Sequence, residues 1–444
     1  MASNAIFTQQ STLKHVVVTA ITGALGLLSI FMVDLVDILF LSMLDQKEVV
    51  AAVGFASSIM FFMISLSLAI SITGVALISQ ALGRGDHALA KQRAVNILVF
   101  GFLVSLLIVW LMAPNLPYLL LFLGAAGRTL DLATSYLQIT LYSIPALMIG
   151  IVASGIIRAV GDAKRAMYAT LVSGLVNAVL DPIFIFVLDL GLDGAALASL
   201  CARFSMLIIA YHGVVRVHNM LGKFDWLYFG QDLKCIFLLF FPTMLANLSS
   251  PLANAIATEH MSAFGDDAVA AYAIIGRIIP VIFAGLFSLS SAIGPILGQN
   301  YGAKDFVRIK RTLGSAVFYS FIYSLLTCWL VYELQDWLIA LFNASGRVAD
   351  LIHFFTTYIT FSFFFQSFLF IAFAVFNNLG QPSVSAWLNF GRATLGTWPF
   401  IVVFGWLFAA KGVLVGLAFG SITFGCIGLL LAKRYIDRLA LSNS

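Results

Sequence analysis

Charge is what this 444-residue sequence has least of. Asp, Glu, Lys and Arg make up 10% of it, whereas 61% is hydrophobic. A soluble domain carries about 25% charged and roughly 45–50% apolar residues. No globular interior could bury such an excess of apolar surface, so lipid must be the solvent for most of it. The net charge of +4 is small and lies in short clusters between apolar runs, which excludes a basic face for nucleic acid. No Walker A loop is present, so ATP hydrolysis by this chain is excluded. No nucleophile–base arrangement or metal-ligand spacing occurs either, so neither an enzyme nor a metal or cofactor site is expected. Cysteine is scarce. Cys201, Cys235, Cys328 and Cys426 have no paired spacing and read as small core hydrophobes. A cleavable signal is not expected, because the first apolar run is too long and has no small-residue cleavage site.

What is present is a series of apolar runs that reach the roughly 20 residues needed to cross a bilayer. They lie near 16–43, 49–82, 94–113, 132–157, 166–188, 193–215, 236–264, 268–299, 312–333, 351–377, 384–408 and 412–432. The expected fold is therefore an all-α polytopic membrane protein with twelve transmembrane helices. Basic loop residues mark the cytoplasmic side. One set of loops, with both termini, holds Lys14, Arg84, Lys91, Arg93, Arg158, Lys164, Arg165, Arg216, Lys223, Lys234, Lys304, Arg308, Lys310, Arg311, Lys433, Arg434 and Arg438. The other set holds only Lys47, Arg128, Arg347 and Lys411. The expectation is a monomer in a bacterial inner membrane with both termini in the cytoplasm.

The chain repeats itself. Ser79-Gln80-Ala81-Leu82-Gly83 is echoed by Gly298-Gln299-Asn300-Tyr301-Gly302, and Asp86 and Lys91 by Asp305 and Lys310. Arg158-Ala159-Val160-Gly161-Asp162 maps onto Asn377-Asn378-Leu379-Gly380-Gln381 at the same offset. Six spans per half keep one orientation, so the repeat is parallel. It predicts two six-helix lobes, 1–215 and 236–444, joined by a cytoplasmic linker over 216–235. Parallel halves with a cavity between them are a transporter architecture, although duplication for stability alone is the blander reading.

Ionisable groups inside spans cost roughly 2.5–3.5 kcal/mol near the centre and default to functional hypotheses. Asp34 and Asp37 share span 1, and Asn177 and Asp181 lie four residues apart on one face of span 5. Spans 1 and 5 run outward and spans 4 and 6 inward. Asp37 therefore sits roughly 9 Å below the outer end of its span, in the same layer as Asp181, Tyr136 and Ser199. Two carboxylates in low dielectric cannot both ionise easily, so a proton or a cation such as Na+ can bridge them. Tyr136, Asn177 and Ser199 can supply hydrogen bonds, or can simply glue helices together. Asp34 could instead pair with Arg203.

The second half differs. Arg277 and Arg392 lie in its spans and Glu259 and His260 near an outer end, without a mid-span carboxylate pair. His260 and His353 read as interfacial. The run Phe361, Phe363, Phe364, Phe365, Phe368 and Phe370 fits either lipid-facing packing or a soft aromatic cavity wall for apolar cations.

Val36-Asp37-Ile38-Leu39-Phe40 with Ala51-Ala52-Val53-Gly54 resembles the opening of multidrug and toxic compound extrusion (MATE) transporters. So do Arg158–Asp162, Asn177-Ala178-Val179-Leu180-Asp181-Pro182 and Gly194-Ala195-Ala196-Leu197-Ala198-Ser199. The resemblance covers essentially the whole chain and is closest to the DNA-damage-inducible protein F branch. It implies two lobes in a V shape and antiport of drugs or toxic metabolites against H+ or Na+, with H+ favoured. It implies coupling at Asp37, with Tyr136, Asn177, Asp181 and Ser199 around it and Tyr142 as the alternative to Tyr136. One position departs from the pattern: Thr22 stands where the family usually carries a proline that lets span 1 bend. The rival functions are a lipid-linked oligosaccharide flippase, which calls for more cavity-facing Arg and Lys, and a non-transporting receptor or scaffold, which has no need of a buried carboxylate pair.

Overall fold

The computed structural model describes residues 5–44 and 47–442, without the side chains of Ile38, Ser42, Lys47, Ser250, Pro251 and Leu252; Ile38 and Lys47 entered the motif and loop readings above. Every regular element in them is helical. The principal helices are α1 (Thr12–Ser42), α2 (Lys47–Gly83), α3 (His87–Met112), α4 (Gly127–Leu141), α5 (Ile144–Val160), α6 (Ala163–Pro182), α7 (Gly191–His212) and α8 (Trp226–Ser262). They continue as α9 (Asp266–Ile282), α10 (Leu289–Gly302), α11 (Phe306–Glu333), α12 (Gly346–Phe354), α13 (Ser362–Asn378), α14 (Pro382–Ala393) and α15 (Trp398–Ser442). A backbone in hydrocarbon has no water to bond to, so helices that satisfy their own amides are the natural choice for such a sequence.

Among the described residues, eight helical stretches are long and apolar enough to span a membrane, and up to eleven if each bent pair is one span. The bent pairs are α4–α5 at 51°, α9–α10 at 63° and α12–α13 at 62°. The last stretch, Pro382–Ser442, is itself two spans. Phe408 and Ala409 leave helical geometry, Ala409 at φ 52°. On either side of them the backbones pass so close that only glycine fits: Gly412 against Phe404, Gly416 against Phe400 and Ile401, Gly420 against Gly396. Those pairings are symmetrical about residue 408, so α15 is an antiparallel helical hairpin held by small residues at every fourth position. About eleven to twelve spans result.

The internal repeat is written into the backbone. Left-handed residues recur at the offset read from the sequence: Gly85 and Lys304, Gly124 and Asn343, Gly127 and Gly346, Gly161 and Gly380. Asp86 and Asp305 cap α3 and α11 with nearly identical dihedrals, each side chain accepting from the amide three residues on.

Two compact units form. One contains Leu25–Leu82 and Asp86–Phe240; the other contains Ala5–Ala24, Gly83–Gly85 and the chain from Phe241 onward. The boundaries read from the sequence fall at 215, in the π-helical turn that ends α7, and at 236, inside α8, whereas the units divide α1 after Ala24 and α8 after Phe240. In the second unit, the segment before α1 is clasped by polar side chains. Phe7 N–H donates to Gln299 Oε1 at 2.9 Å, and Asn300 Nδ2 and Arg308 Nη2 donate to the Phe7 carbonyl at 3.1 and 2.9 Å. Arg308 also donates to the Gln9 and Gln10 carbonyls, and Ser288 Oγ to that of Ala20 at 2.8 Å. Gln299 and Asn300 belong to the repeated motif, which here acts as a clasp.

In the first unit, Asp162 caps α6. It accepts from Arg165 N–H at 3.1 Å and Arg165 Nε at 3.0 Å, and lies 3.1 Å from His218 Nε2, just beyond the π-helical turn that ends α7. The hydrogen bond with His218, with those from Arg165, lowers the Asp162 carboxyl to about 2. The four cysteines are free; none is fully buried, and Cys235 is exposed, so their reading as core hydrophobes holds only in part.

Two outcomes are expected. Gly420→Val forces the α15 hairpin apart and destabilises the protein by about 1–3 kcal/mol or more, whereas Gly230→Ala, whose added methyl would meet no neighbour, leaves the melting temperature in detergent unchanged or slightly raised. Asp162→Asn lowers that temperature at neutral pH. The folded carboxyl titrates below its unfolded value, so its stabilisation is present above about pH 4 and disappears as pH falls through about 2. Melting curves of the two proteins should therefore converge at the acid end.

Candidate functional site

The first unit brings together side chains from α1, α4, α6 and α7. Asn177 lies on α6, 4% exposed, and its Nδ2 donates to Asp181 Oδ2 at 2.7 Å and to Asp37 Oδ1 on α1 at 3.0 Å. Asp37 and Asp181 also interact directly. Asp181 is fully buried, and its second oxygen, Oδ1, has no hydrogen-bond donor among the described residues. One amide group therefore serves two oxygens of the carboxyl pair and leaves Asp181 Oδ1 without a donor, which a proton on either group would supply. On the neighbouring helices, Tyr136 is hydrogen-bonded to Ser199 and lies within electrostatic reach of Asp37, Asp181 and Arg203. The five residues Asp37, Asp181, Asn177, Tyr136 and Ser199 thus gather in one place.

The secondary candidates divide. Asp34 is exposed and close enough to Asp37 for their charges to interact. Its proposed partner, Arg203, donates instead to the Thr140 carbonyl at 3.2 Å and to Ser143 Oγ at 2.6 Å. Among the described residues no ion pair joins Asp34 to Arg203, because the guanidinium is satisfied within its own neighbourhood at the α4–α5 bend. Tyr142 is 74% exposed and stands apart from the cluster, so Tyr136 is the tyrosine that the carboxylates meet. Thr22 belongs to the other unit. Its Oγ1 donates to the carbonyls of Val18 at 2.8 Å and Thr19 at 3.1 Å, and α1 runs on unbroken past it.

Sequence reasoning missed what aligns α1 with α6. Gly26 faces Thr170, Ser29 and Val33 face Gly174, and Asp37 meets Asn177. The two helices run side by side in the same direction, and Gly174 leaves no room for a side chain beside the Ser29 hydroxyl. The signal was available: Gly174 stands three residues before Asn177, on the same helix face. The π-helical turn Ile183–Val187, directly after Pro182, was also unforeseen. Such turns often mark functional sites.

In the second unit, Phe363 stacks on Phe283 at 4.1 Å, and Phe363 and Phe368 are buried. Phe361 is 40% exposed, so the run forms part core and part open wall. His353 contacts Gln335 at 3.1 Å and His260 the Ile256 carbonyl at 2.9 Å. Among the described residues, no group of three or more His, Cys, Asp or Glu side chains could hold a metal.

The MatE family matches residues 24–183 and 242–403, one stretch in each half of the sequence. A FAD transporter of Shewanella oneidensis is 24% identical over 405 residues, 90% of this chain and 89% of that protein. The multidrug export protein MepA of Staphylococcus aureus is 21% identical over 413 residues, 92% of this chain and 90% of its own length. Among solved structures, a multidrug resistance MATE family transporter of the MOP superfamily in its outward-facing conformation superposes with a TM-score of 0.93 at 22% identity, covering 98% of both chains.

The α1–α6 seam yields an expectation. Gly174→Ala pushes against the Ser29 hydroxyl and lowers the melting temperature in detergent. Ser29→Ala added to it removes the obstructing hydroxyl and restores most of the loss. An unchanged melting temperature in the single variant would show that the close approach is dispensable.

Proposed function

The chain belongs to the MatE family and is therefore a multi-pass membrane transporter and not an enzyme, and from that premise we propose that it is an antiporter exporting small organic compounds, cationic drugs and toxic metabolites among them, in exchange for H+ entering at Asp37. The observation that carries the reading is Asn177 bridging Asp37 and Asp181, with Asp181 Oδ1 left without a donor. A buried polar atom without a partner costs about 1–3 kcal/mol. A proton on either carboxyl removes that cost and one of two like charges together. H+ is favoured over Na+ because Asn177 turns its amide N–H, and not its oxygen, toward both carboxylates. We place the protein in a bacterial inner membrane with both termini in the cytoplasm, as a monomer of the DNA-damage-inducible protein F branch whose lobes 1–215 and 236–444 alternate access around the linker 216–235.

The coupling runs along α1. Protonation changes the hydrogen bonds that hold its outer half to α6, while its first half is tied to Ser288 in the second unit. Between these ends lies Thr22. Proline there would free the Val18 carbonyl; the threonine hydroxyl already shares that carbonyl, which loosens the ladder and bends helices slightly. Position 22 thus serves as a softened point without breaking the helix.

A second reading concerns the cargo. A relative is named an FAD transporter, and Arg277 and Arg392, cations within spans of the second half, could pair with the phosphates of a flavin dinucleotide.

Asp37→Asn is expected to abolish efflux while the protein still folds and inserts. Transport should collapse with a protonophore and persist without ATP; efflux sustained by a sodium gradient alone, with ΔpH and potential removed, would name Na+ as the coupling ion. FAD release from loaded vesicles, measured beside ethidium efflux, separates the two cargoes. Thr22→Pro should make α1 more bendable. Labels on α1 and α6 should then report a pH-dependent distance that differs from the parent, with altered turnover. Identical distances and rates in the two proteins would remove position 22 from the mechanism.

A further inference from the structure

The second unit contains a cleft that the transport reading does not use. Lys310, Leu313, Gly314 and Val317 lie on one face of α11, at helical spacing. Leu429, Lys433, Ile436 and Asp437 lie on one face of α15 opposite them, and between the two faces is a cavity of about 340 Å³. Its floor is apolar, with Ile436 fully buried. Its wall is open at Gly314, where an added side chain would meet no atom within 4 Å. Its rim is charged. Lys310 Nζ is paired with Asp437 Oδ1 at 2.6 Å, whereas Lys433 is exposed and has no ionic partner among the described residues. Arg311, Arg434 and Arg438 stand next to the rim in sequence, so the surroundings are cationic.

A cleft between two spans is filled by lipid. This one has an apolar trough and, at one end, the uncompensated Lys433 on α15 beside Lys310, which lies only about 6 Å along α11 from its start. In the orientation proposed above, that end faces the cytoplasmic leaflet. Basic pockets between transmembrane helices on that side suit acidic headgroups. We propose that the α11–α15 cleft is a binding site for an acidic phospholipid, its phosphate held by Lys433 and Lys310 and an acyl chain lying over Leu313, Gly314 and Val317. Asp437 sets the specificity. It fixes Lys310 at the rim and leaves Lys433 as the free cation, so a single negative headgroup balances the site. A zwitterionic headgroup brings its own cation against Lys433, Arg434 and Arg438.

The test uses the full chain, purified and exchanged into an equal mixture of phosphatidylglycerol and phosphatidylethanolamine, with retained lipid counted by native mass spectrometry. Phosphatidylglycerol should be retained over phosphatidylethanolamine by about fivefold, the factor expected for one basic side chain near a membrane surface. Lys433→Gln, at an exposed position, should remove most of that preference. Gly314→Leu fills the trough and should lower retention of both lipids while the melting temperature in detergent stays within a few degrees of the parent. Equal retention of the two headgroups by the parent, or unchanged retention in either variant, would overturn the proposal.

Discussion

A carboxylate on a membrane helix has few ways to exist. Hydrocarbon offers it no hydrogen bonds, so donors must come from its own helix or from a neighbouring one. Asn177 is that donor for Asp37 and Asp181 together, and its two hydrogen bonds impose conditions on everything around them. They require α1 and α6 to lie within a side chain's length, which Gly174 permits. They leave one oxygen of Asp181 wanting. Low dielectric makes both facts expensive, and the same expense makes the site responsive: a single proton changes the charge and the hydrogen-bond count at once.

Much of this was legible before any coordinates. Depth counting along spans 1, 4, 5 and 6 brought Asp37, Tyr136, Asp181 and Ser199 to one layer, and helical spacing put Asn177 on the face of Asp181, because a membrane fixes where each helix starts and which way it runs. The repeat was legible because a constant offset survives only when lengths are kept, and the recurring left-handed residues show what those lengths preserve. Tyr136 and Tyr142 were not separable, since six residues along a helix with a break after Leu141 leave the direction of the second ring undetermined. The destination of Arg203 was also hidden. Its acceptors are a carbonyl and a hydroxyl at the α4–α5 bend, groups that a charge-pairing argument does not consider.

Bends were the least legible feature of the fold. Long apolar runs permit them without saying where. Pro145 and Pro280 stand close to two of the breaks, but the α12–α13 break has no proline and follows a π-helical turn at Phe355–Ile359. The division of α1 was illegible for a different reason. Nothing in residues 5–24 marks them as partners of Gln299, Asn300 and Arg308, which are distant in sequence and bind mostly backbone carbonyls.

That clasp has a consequence for the order in which the protein can be completed. Phe7 and its partner Gln299 are separated by 292 residues. At ribosomal speeds of about 5–20 residues per second, the partner emerges roughly 15–60 s after the segment it will hold. For that interval the start of α1 has left the ribosome with the amide of Phe7 and the carbonyls of Phe7, Gln9 and Ala20 still awaiting their side-chain partners. The first helix to be made is therefore among the last to be finished, and the nascent chain must keep its opening segment available, through the synthesis of seven further spans, for a dock that does not yet exist.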